Sequence, residues 1–582
     1  TFQNLGCMDM INFRETANFI WSVADLLRGD YKQSDYGKII LPLTVLRRLD
    51  CVLEPTKEKV LAYLPKVQTT NVQNIDPILN KVAGHNFHNR SKYDFNKLIA
   101  DPDHIAANLR NYINGFSENA REIIEYFDFD KQIDRLEKSN LLYLVLKRFQ
   151  ETDLHPKKVS NVEAGYLFEE LIRKFAELSN ETAGEHFTPR EVIRLMVDML
   201  FIADKDILTK KGIVKTLYDP AGGTGGMLTV ADEYVRSLNE DARLELFGQE
   251  INPESYAIFK ADMLIKGQNA SNVKFGNSFT EDGLEGNKFD YMLSNPPFGV
   301  SWKKVEKKIK HEAESLGHAG RFGAGTPRVS DGSLLFLQHM ISKMTQTGQG
   351  SRIGIVFNGS PLFTGSAGSG ESDIRKWIIE NDMLEAIIAL PDQLFYNTGI
   401  STYIWIVDNR KRPERKGKVQ LINAVSFFEK MSKSLGNKRN LISTVQIEKI
   451  TKLYGDFEEN KYSKIFDNED FGYHKVTVER PKRKKDGTII KDTNGNPKVD
   501  SSLRDYESIP LKEDIEEYFK REVLPHVPDA WIDHSKTKVG YEINFTRYFY
   551  EYTPLRSTEE IRADILKLKE EMEDLTMKVV SP

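Results

Sequence analysis

The chain has 582 residues, 40% of them hydrophobic and 29% charged, with a formal net charge of -5. That length exceeds what one hydrophobic core supports, so two or three domains of a soluble, folded protein are expected. No apolar run nears the ~18 residues of a membrane span and no basic-then-apolar leader is legible, while two unpaired-looking cysteines, Cys7 and Cys51, exclude a disulfide framework or cysteine-rich metal site and fit a cytoplasmic home.

From Phe13 to Leu154 the apolar spacing is helical. Ile20, Val23, Leu26 and Leu27 share one face, and Ile40, Leu41, Val45, Leu46 and Leu49 repeat it. Residues 1–160 are therefore expected to form a helical N-terminal domain. Short apolar runs then recur at 214–218, 244–247, 273–275, 291–293, 353–357, 384–390 and 403–407 and read as buried strands. Helical patterns such as 255–266 and 334–344 fall between many of them, which predicts a mostly parallel, doubly wound α/β sheet over 161–425. After Ala424 the chain is more charged and less regular. This C-terminal region, 426–582, includes Lys482-Arg483-Lys484-Lys485-Asp486-Gly487, patterned as a basic β-hairpin. It closes on a long helix in which Ile561, Ile565, Leu568, Met572, Leu575 and Val579 step by four and three, behind a Ser557/Glu560 capping box.

The first strand runs into Asp219-Pro220-Ala221-Gly222-Gly223-Thr224-Gly225-Gly226 and then a helix. Glycines let backbone approach a ligand closely. The pattern departs from the dinucleotide G-x-G-x-x-G and lacks a P-loop lysine, so phosphate is not the obvious guest. The second strand ends at Glu250, where a carboxylate can accept from both hydroxyls of a ribose. The third ends at Asn277-Ser278, which can meet an adenine edge. Polar groups at the ends of three successive strands fall in the crevice where open α/β sheets bind ligands.

The fourth strand ends in Asn295-Pro296-Pro297-Phe298. The prolines fix φ and remove two donors, leaving a stiff loop with the Asn295 oxygen, the Pro296 carbonyl and an aromatic face. Two rigid acceptors match the two hydrogens of an exocyclic amine and would draw its nitrogen towards a nucleophilic, pyramidal geometry. Phe298 would stack on a base rotated out of its helix. A base-C5 methylation would need a cysteine near these motifs, and there is none. The residues alone leave a glutamine side-chain amide open as the target.

These segments together resemble the modification subunit of type I restriction-modification systems, a gamma-type N6-adenine DNA methyltransferase. The 219–226 and 295–298 motifs look like its cofactor and catalytic motifs. Gly184-Glu185-His186-Phe187-Thr188-Pro189-Arg190 looks like the segment that closes over the methionine end of the cofactor, and its place before the glycine turn is the gamma order. Gly320-Arg321-Phe322-Gly323, Asp331-Gly332-Ser333, 390–402 and 540–545 also match. The resemblance implies a Rossmann-like core and S-adenosylmethionine as cofactor, held by Glu185 to Arg190, Asp219, Ala221, Gly223, Thr224, Gly225, Gly226, Glu250, Asn277 and Ser278. Asn277 is a departure, since many relatives in the wider class carry Asp there.

After Phe298 comes a glycine-punctuated stretch with Lys303, Lys304, Lys307, Lys308, Lys310, Arg321 and Arg328. It reads as a mobile loop ordering on the phosphate backbone of double-stranded DNA, with Lys303, Lys304, Lys307, Arg321 and Arg328 as contacts. No segment reads as a self-contained sequence reader. The resemblance supplies one: a separate DNA specificity subunit joined by two modification subunits, with a restriction subunit in the full complex and no membrane. The terminal helix suits packing on a partner helix or on its own chain. A self-sufficient enzyme and a catalytically silent phage-defence scaffold remain alternatives, although intact Asp219, Glu250 and Asn295 oppose the second.

Overall fold

Helix α1 (Gly37–Leu53) is the axis of the N-terminal helical region in this computed structural model, which describes residues 18–69, 72–179, 188–204, 209–396, 398–551 and 557–580. Ile39, Ile40, Leu43, Leu46 and Leu49 are wholly buried, each worth roughly 1.5–3 kcal/mol relative to exposure. Its two buried arginines are satisfied by the chain that wraps it. Arg47 Nε donates to the Thr152 carbonyl at 2.8 Å, and Arg48 Nη1 donates to those of Leu154 and Val159 at 2.9 and 3.0 Å. Helices α2 (Asn161–Ser179) and α3 (Arg190–Phe201) follow.

The sheet then begins. Strands β1 (Val214–Asp219) and β2 (Arg243–Glu250) flank α4 (Gly226–Leu238). Helix α5 (Pro253–Ile265) starts where Asn252 accepts from the Ser255 amide at 2.9 Å and Pro253 takes the first turn. Strands β3 (Val273–Phe275) and β4 (Tyr291–Ser294), helices α6 (Glu306–Leu316) and α7 (Ser333–Ser342), and strands β5 (Arg352–Asn358), β6 (Leu384–Ala389), β7 (Thr402–Asp408) and β8 (Lys418–Asn423) complete the run. With β11 (Ser463–Asp467) they form a nine-stranded sheet of order 11-8-6-7-5-4-1-2-3. All neighbours are parallel except at β7, antiparallel to β5 and β6, and β11, antiparallel to β8. The expected doubly wound sheet is present. Burial of β4, β5 and β6 on both faces explains their continuous apolar runs.

The region after Ala424 is more regular than its sequence suggests. It holds a β9 (Glu429–Leu435) and β10 (Lys438–Leu441) hairpin, α8 (Thr444–Asp456), and a three-stranded antiparallel sheet in which β12 (Gly472–Glu479) lies between β13 (Asp505–Pro510) and β14 (Trp531–Tyr541). The last sheet buries Val476, Val478, Ile509, Phe519 and Val523 in its own small core, too few apolar residues to stand out from the charges between them. The basic segment at 482–487 does turn as a hairpin, with Gly487 at φ +85° donating to the Lys484 carbonyl at 3.0 Å.

Residues from Asn544 onward make a separate compact unit. Helix α9 (Thr558–Val580) opens on the expected capping box: Ser557 and Glu560 exchange backbone-to-side-chain bonds of 2.9 and 3.2 Å. Ile561, Ile565, Leu568 and Met572 are exposed. Among the described residues no helix is long and apolar enough to cross a membrane.

Candidate active site

A cavity of about 500 Å³ opens at the carboxyl edge of β4, β1, β2 and β3. Its wall includes Thr188, Asp219, Ala221, Gly223, Thr224, Gly226, Glu250, Asn277, Ser278, Asn295 and Pro297. Strand order gathers the residues from 219 to 297, and Thr188, which precedes the sheet, is joined to them through Asn295. Glu185, His186 and Phe187 lie outside the described residues.

The glycines divide by what they face. Gly223, at φ +53°, has no atom within 4 Å of where a Cβ would stand, so its bare backbone leaves cavity open for a ligand. Gly225, at φ +83°, does not line the cavity. A Cβ there would sit 2.5 Å from the Phe259 ring of α5, and one at Gly222 or Gly248 2.7 or 2.4 Å from the same ring. The expected ligand role of Gly225 is therefore a packing role: it admits an aromatic side chain under the turn.

Two carboxylates shape the floor. Asp219 is 2% exposed, and its Oδ1 accepts from the Ala221 amide and from Ser294 Oγ, both at 2.9 Å. Burial pushes its carboxyl up to about 7 against those two bonds. Glu250 accepts from the Gly223 amide at 2.8 Å and the Asn252 amide at 2.7 Å. Burial raises it too, and the backbone donors of Asn252, Gly223 and Ile251 hold it down. A carboxylate has about four acceptor positions, so two backbone bonds leave capacity for hydroxyls.

Asn295 is fixed from two sides. Its Nδ2 donates to Thr188 Oγ1 at 2.8 Å, and the preceding Ser294 is bonded to Asp219. Pro296 is not part of the cavity wall. Phe298 is 8% exposed and packs in the main core, so the stacking face expected of it is turned to other apolar side chains, where the ring's transfer energy is gained. Asn277 Oδ1 accepts from the Phe279 amide at 2.9 Å, and Ser278 Oγ donates to the Pro220 carbonyl at 2.6 Å, tying the end of β3 to that of β1.

Two further expectations change. Arg190 does not line the cavity: Nη2 pairs with Glu169 at 3.2 Å and Nη1 reaches the Gly226 carbonyl at 3.4 Å. The first part of the basic stretch after Phe298 is not a loop but a 3-10 turn (Lys303–Val305) leading into α6, and the irregular part at 320–332 is folded inward, because Trp302, Ile309 and Phe322 bury against Phe279 and Leu335. Lys303, Lys304 and Lys307 are exposed, and Lys304 borders the cavity mouth. Arg321 faces inward: it donates to the carbonyls of Ser278 and Phe279 at 2.9 and 2.7 Å, and binds Glu312. It also meets His339 at 3.2 Å, and His339 meets the Tyr218 hydroxyl at 3.0 Å. That guanidinium holds the cavity wall and is not offered to phosphate. Arg328 is half-exposed and donates to Ser360 at 2.6 Å.

Sequence reasoning missed Glu169, Met227, Ile251, Phe279, Trp302 and Phe336, all in the cavity wall. Ile251 follows Glu250 directly and is 59% exposed, a signal that adjacency could have given. Glu169 is one acid among several on α2 and carries no such signal. Among the described residues no cluster of histidine, cysteine and carboxylate side chains is placed to hold a metal ion.

The strand order, the open glycine turn, the carboxylate closing β2 and the braced Asn-Pro-Pro loop define a Rossmann-like, S-adenosylmethionine-dependent methyltransferase. Residues 161–483 match the model of the N-6 DNA methylase family, and residues 16–149 match the HsdM N-terminal domain. The chain belongs to the N-6 DNA methylase family. It is similar to the type I restriction enzyme MjaIX methylase subunit of Methanocaldococcus jannaschii, at 28% identity over 76% of this chain and 77% of the relative. It is also similar to the HindI methylase subunit of Haemophilus influenzae, at 30% identity over 45% of this chain and 54% of that one. The crystal structure of a type I methyltransferase subunit from Streptococcus thermophilus shares the fold, with a TM-score of 0.61 at 24% identity over 79% of this chain and 97% of that one. A chain from a structure of type I complex assembly aligns over 97% of this chain and 98% of its own length, with a TM-score of 0.51 at 19% identity.

Proposed function

We propose that this chain methylates the exocyclic N6 amine of adenine in double-stranded DNA, as the cytoplasmic modification subunit of a type I restriction-modification complex. Sites are chosen by a separate specificity subunit that two modification subunits embrace, and a restriction subunit joins the full complex. The observation that carries the reading is the bracing of Asn295, by Thr188 on one side and by Ser294 and Asp219 on the other, at the rim of a cavity with a ribose-type carboxylate at its far end.

The residues present fit the cofactor. Gly223 leaves the backbone bare, Glu250 takes the ribose hydroxyls, Asn277 and Ser278 border the base, and Thr188 stands towards the amino-acid end. When bound, S-adenosylmethionine supplies an electrophilic methyl group. Asn295 in the cavity wall and the Pro296 carbonyl just outside it accept the two amine hydrogens of a flipped adenine, which orients the nitrogen lone pair towards the cavity. Held between Thr188 and the β4 end, the Asn295 amide loses little further entropy on engaging the base. The amine loses its proton after attack, so no strong base is needed beforehand. Lys303, Lys304 and Lys307, exposed on the turn and helix beside the mouth, attract phosphate without reading sequence.

The test is transfer of labelled methyl from the cofactor into duplex DNA by the purified chain, alone and with its specificity subunit. Weak incorporation alone and site-selective incorporation with the partner is the expected result. Efficient site-specific methylation by the chain alone would reject the subunit reading.

A further inference from the structure

The cavity wall holds one carboxylate with no part in the chemistry above. Glu169, on α2, lines the cavity beside Thr188, Gly226 and Met227. A Cβ at position 226 would lie 2.6 Å from its Oε1, so the carboxylate is seated directly against the first residue of α4, at the turn that faces the ligand. Its side chain is 14% exposed, and the partner its own chain provides is Arg190 at 3.2 Å, which is shared with the Gly226 carbonyl. Burial raises the Glu169 carboxyl despite that arginine, so the ionised form is under-compensated where it sits.

The ligand's placement along the sheet edge decides what meets it. Glu250 and Asn277, on the β2 and β3 side, take the nucleoside, and the reacting carbon must lie near Asn295 at the end of β4. The other end of the molecule is left with the wall built by Glu169, Thr188, Met227 and Gly226. That end carries an ammonium group. Among the described residues, the remaining carboxylates of the wall are otherwise engaged: Asp219 Oδ1 takes two donors, and Glu250 takes two amides on the nucleoside side. We infer that Glu169 is the acceptor for the α-ammonium group at the cofactor's amino-acid end, which makes the α2 helix part of the cofactor site. The inference rests on the methyltransferase reading and names a subsite within it.

Calorimetric titration of the full chain with two ligands tests it. S-Adenosylhomocysteine carries the amino-acid end, whereas 5′-methylthioadenosine keeps the nucleoside and sulfur but lacks it. Glu169→Gln should weaken the first roughly ten- to a hundredfold, the worth of a charged hydrogen bond, and leave the second unchanged. Glu169→Asp should fall between. Equal loss for both ligands, or loss for neither, would overturn the assignment and leave Glu169 as the structural partner of Arg190. Failure of the wild-type chain to bind either ligand would instead overturn the methyltransferase reading and the assignment with it.

Discussion

Arg321 Nη2 donates to the carbonyl oxygen of Phe279 at 2.7 Å, so an arginine forty-odd residues downstream in sequence fastens the wall of the cavity at the end of β3. Arg321→Gln should cost roughly 1–3 kcal/mol of stability, because carbonyls and Glu312 lose a charged donor. It should also weaken cofactor binding. Arg321→Lys keeps the charge but cannot span two carbonyls and Glu312, so it should recover little. The salt dependence of DNA binding should not change in either variant. Lys303→Ala and Lys307→Ala should leave cofactor affinity alone and each lower the salt slope by about 1. A reduced slope in the Arg321 variants would return that residue to the DNA surface.

Two glycines two residues apart should fail in different ways. Gly223→Ala puts a methyl into the open cavity at φ +53°, and Gly225→Ala drives one to 2.5 Å from Phe259 at φ +83°. Both should lose about 1 kcal/mol or more to backbone strain. Gly225→Ala should lose the further cost of displacing a buried ring, visible as a lower unfolding midpoint, whereas Gly223→Ala should lose cofactor affinity beyond its modest loss of stability. Equal profiles in calorimetry and thermal unfolding would contradict the division.

Much of the site was legible because strand ends and chemistry coincide. Asp219 and Glu250 close strands with a clear apolar pattern, Asn277 and Asn295 follow such strands within two residues, and a parallel sheet delivers these positions to one edge. Arg321 and Phe298 were misjudged because composition does not say which way a side chain faces. A basic, glycine-rich stretch looks solvated until Trp302, Ile309 and Phe322 are seen to fold it inward. The sheet of β12, β13 and β14 was missed for a related reason: its strands bury few apolar residues each, and the alternation is masked by exposed charges such as those of Lys536 and Lys538.

The buried carboxyl of Asp219 predicts a pH effect on the ligand-free protein. Its folded value, about 7, lies above the ordinary carboxyl value of 3.8. The folded state therefore holds its proton more tightly, and the associated stability is fully present below about pH 3.8 and is lost as pH rises through 7. Asp219→Asn keeps an acceptor for Ala221 and Ser294 without the charge. Its unfolding midpoint relative to wild type should rise from about pH 4 to pH 7, where the unfolded carboxyl is ionised and the folded one is not, and level off above that. A difference that is flat with pH would mean that Asp219 is already ionised at little cost.

Action of the braced Asn295 on an adenine amine in DNA is read directly by nucleoside analysis of the methylated product. Duplex DNA is treated with the chain, its specificity subunit and labelled cofactor, then digested to nucleosides and resolved by mass. Label is expected in N6-methyladenine. Asn295→Ala should lower the rate by on the order of 10²–10³, as for loss of other preorganised groups at a reacting atom, with cofactor affinity close to wild type. Label on cytosine, or on a protein glutamine in place of DNA, or an Asn295→Ala variant that methylates adenine at the wild-type rate, would contradict that action.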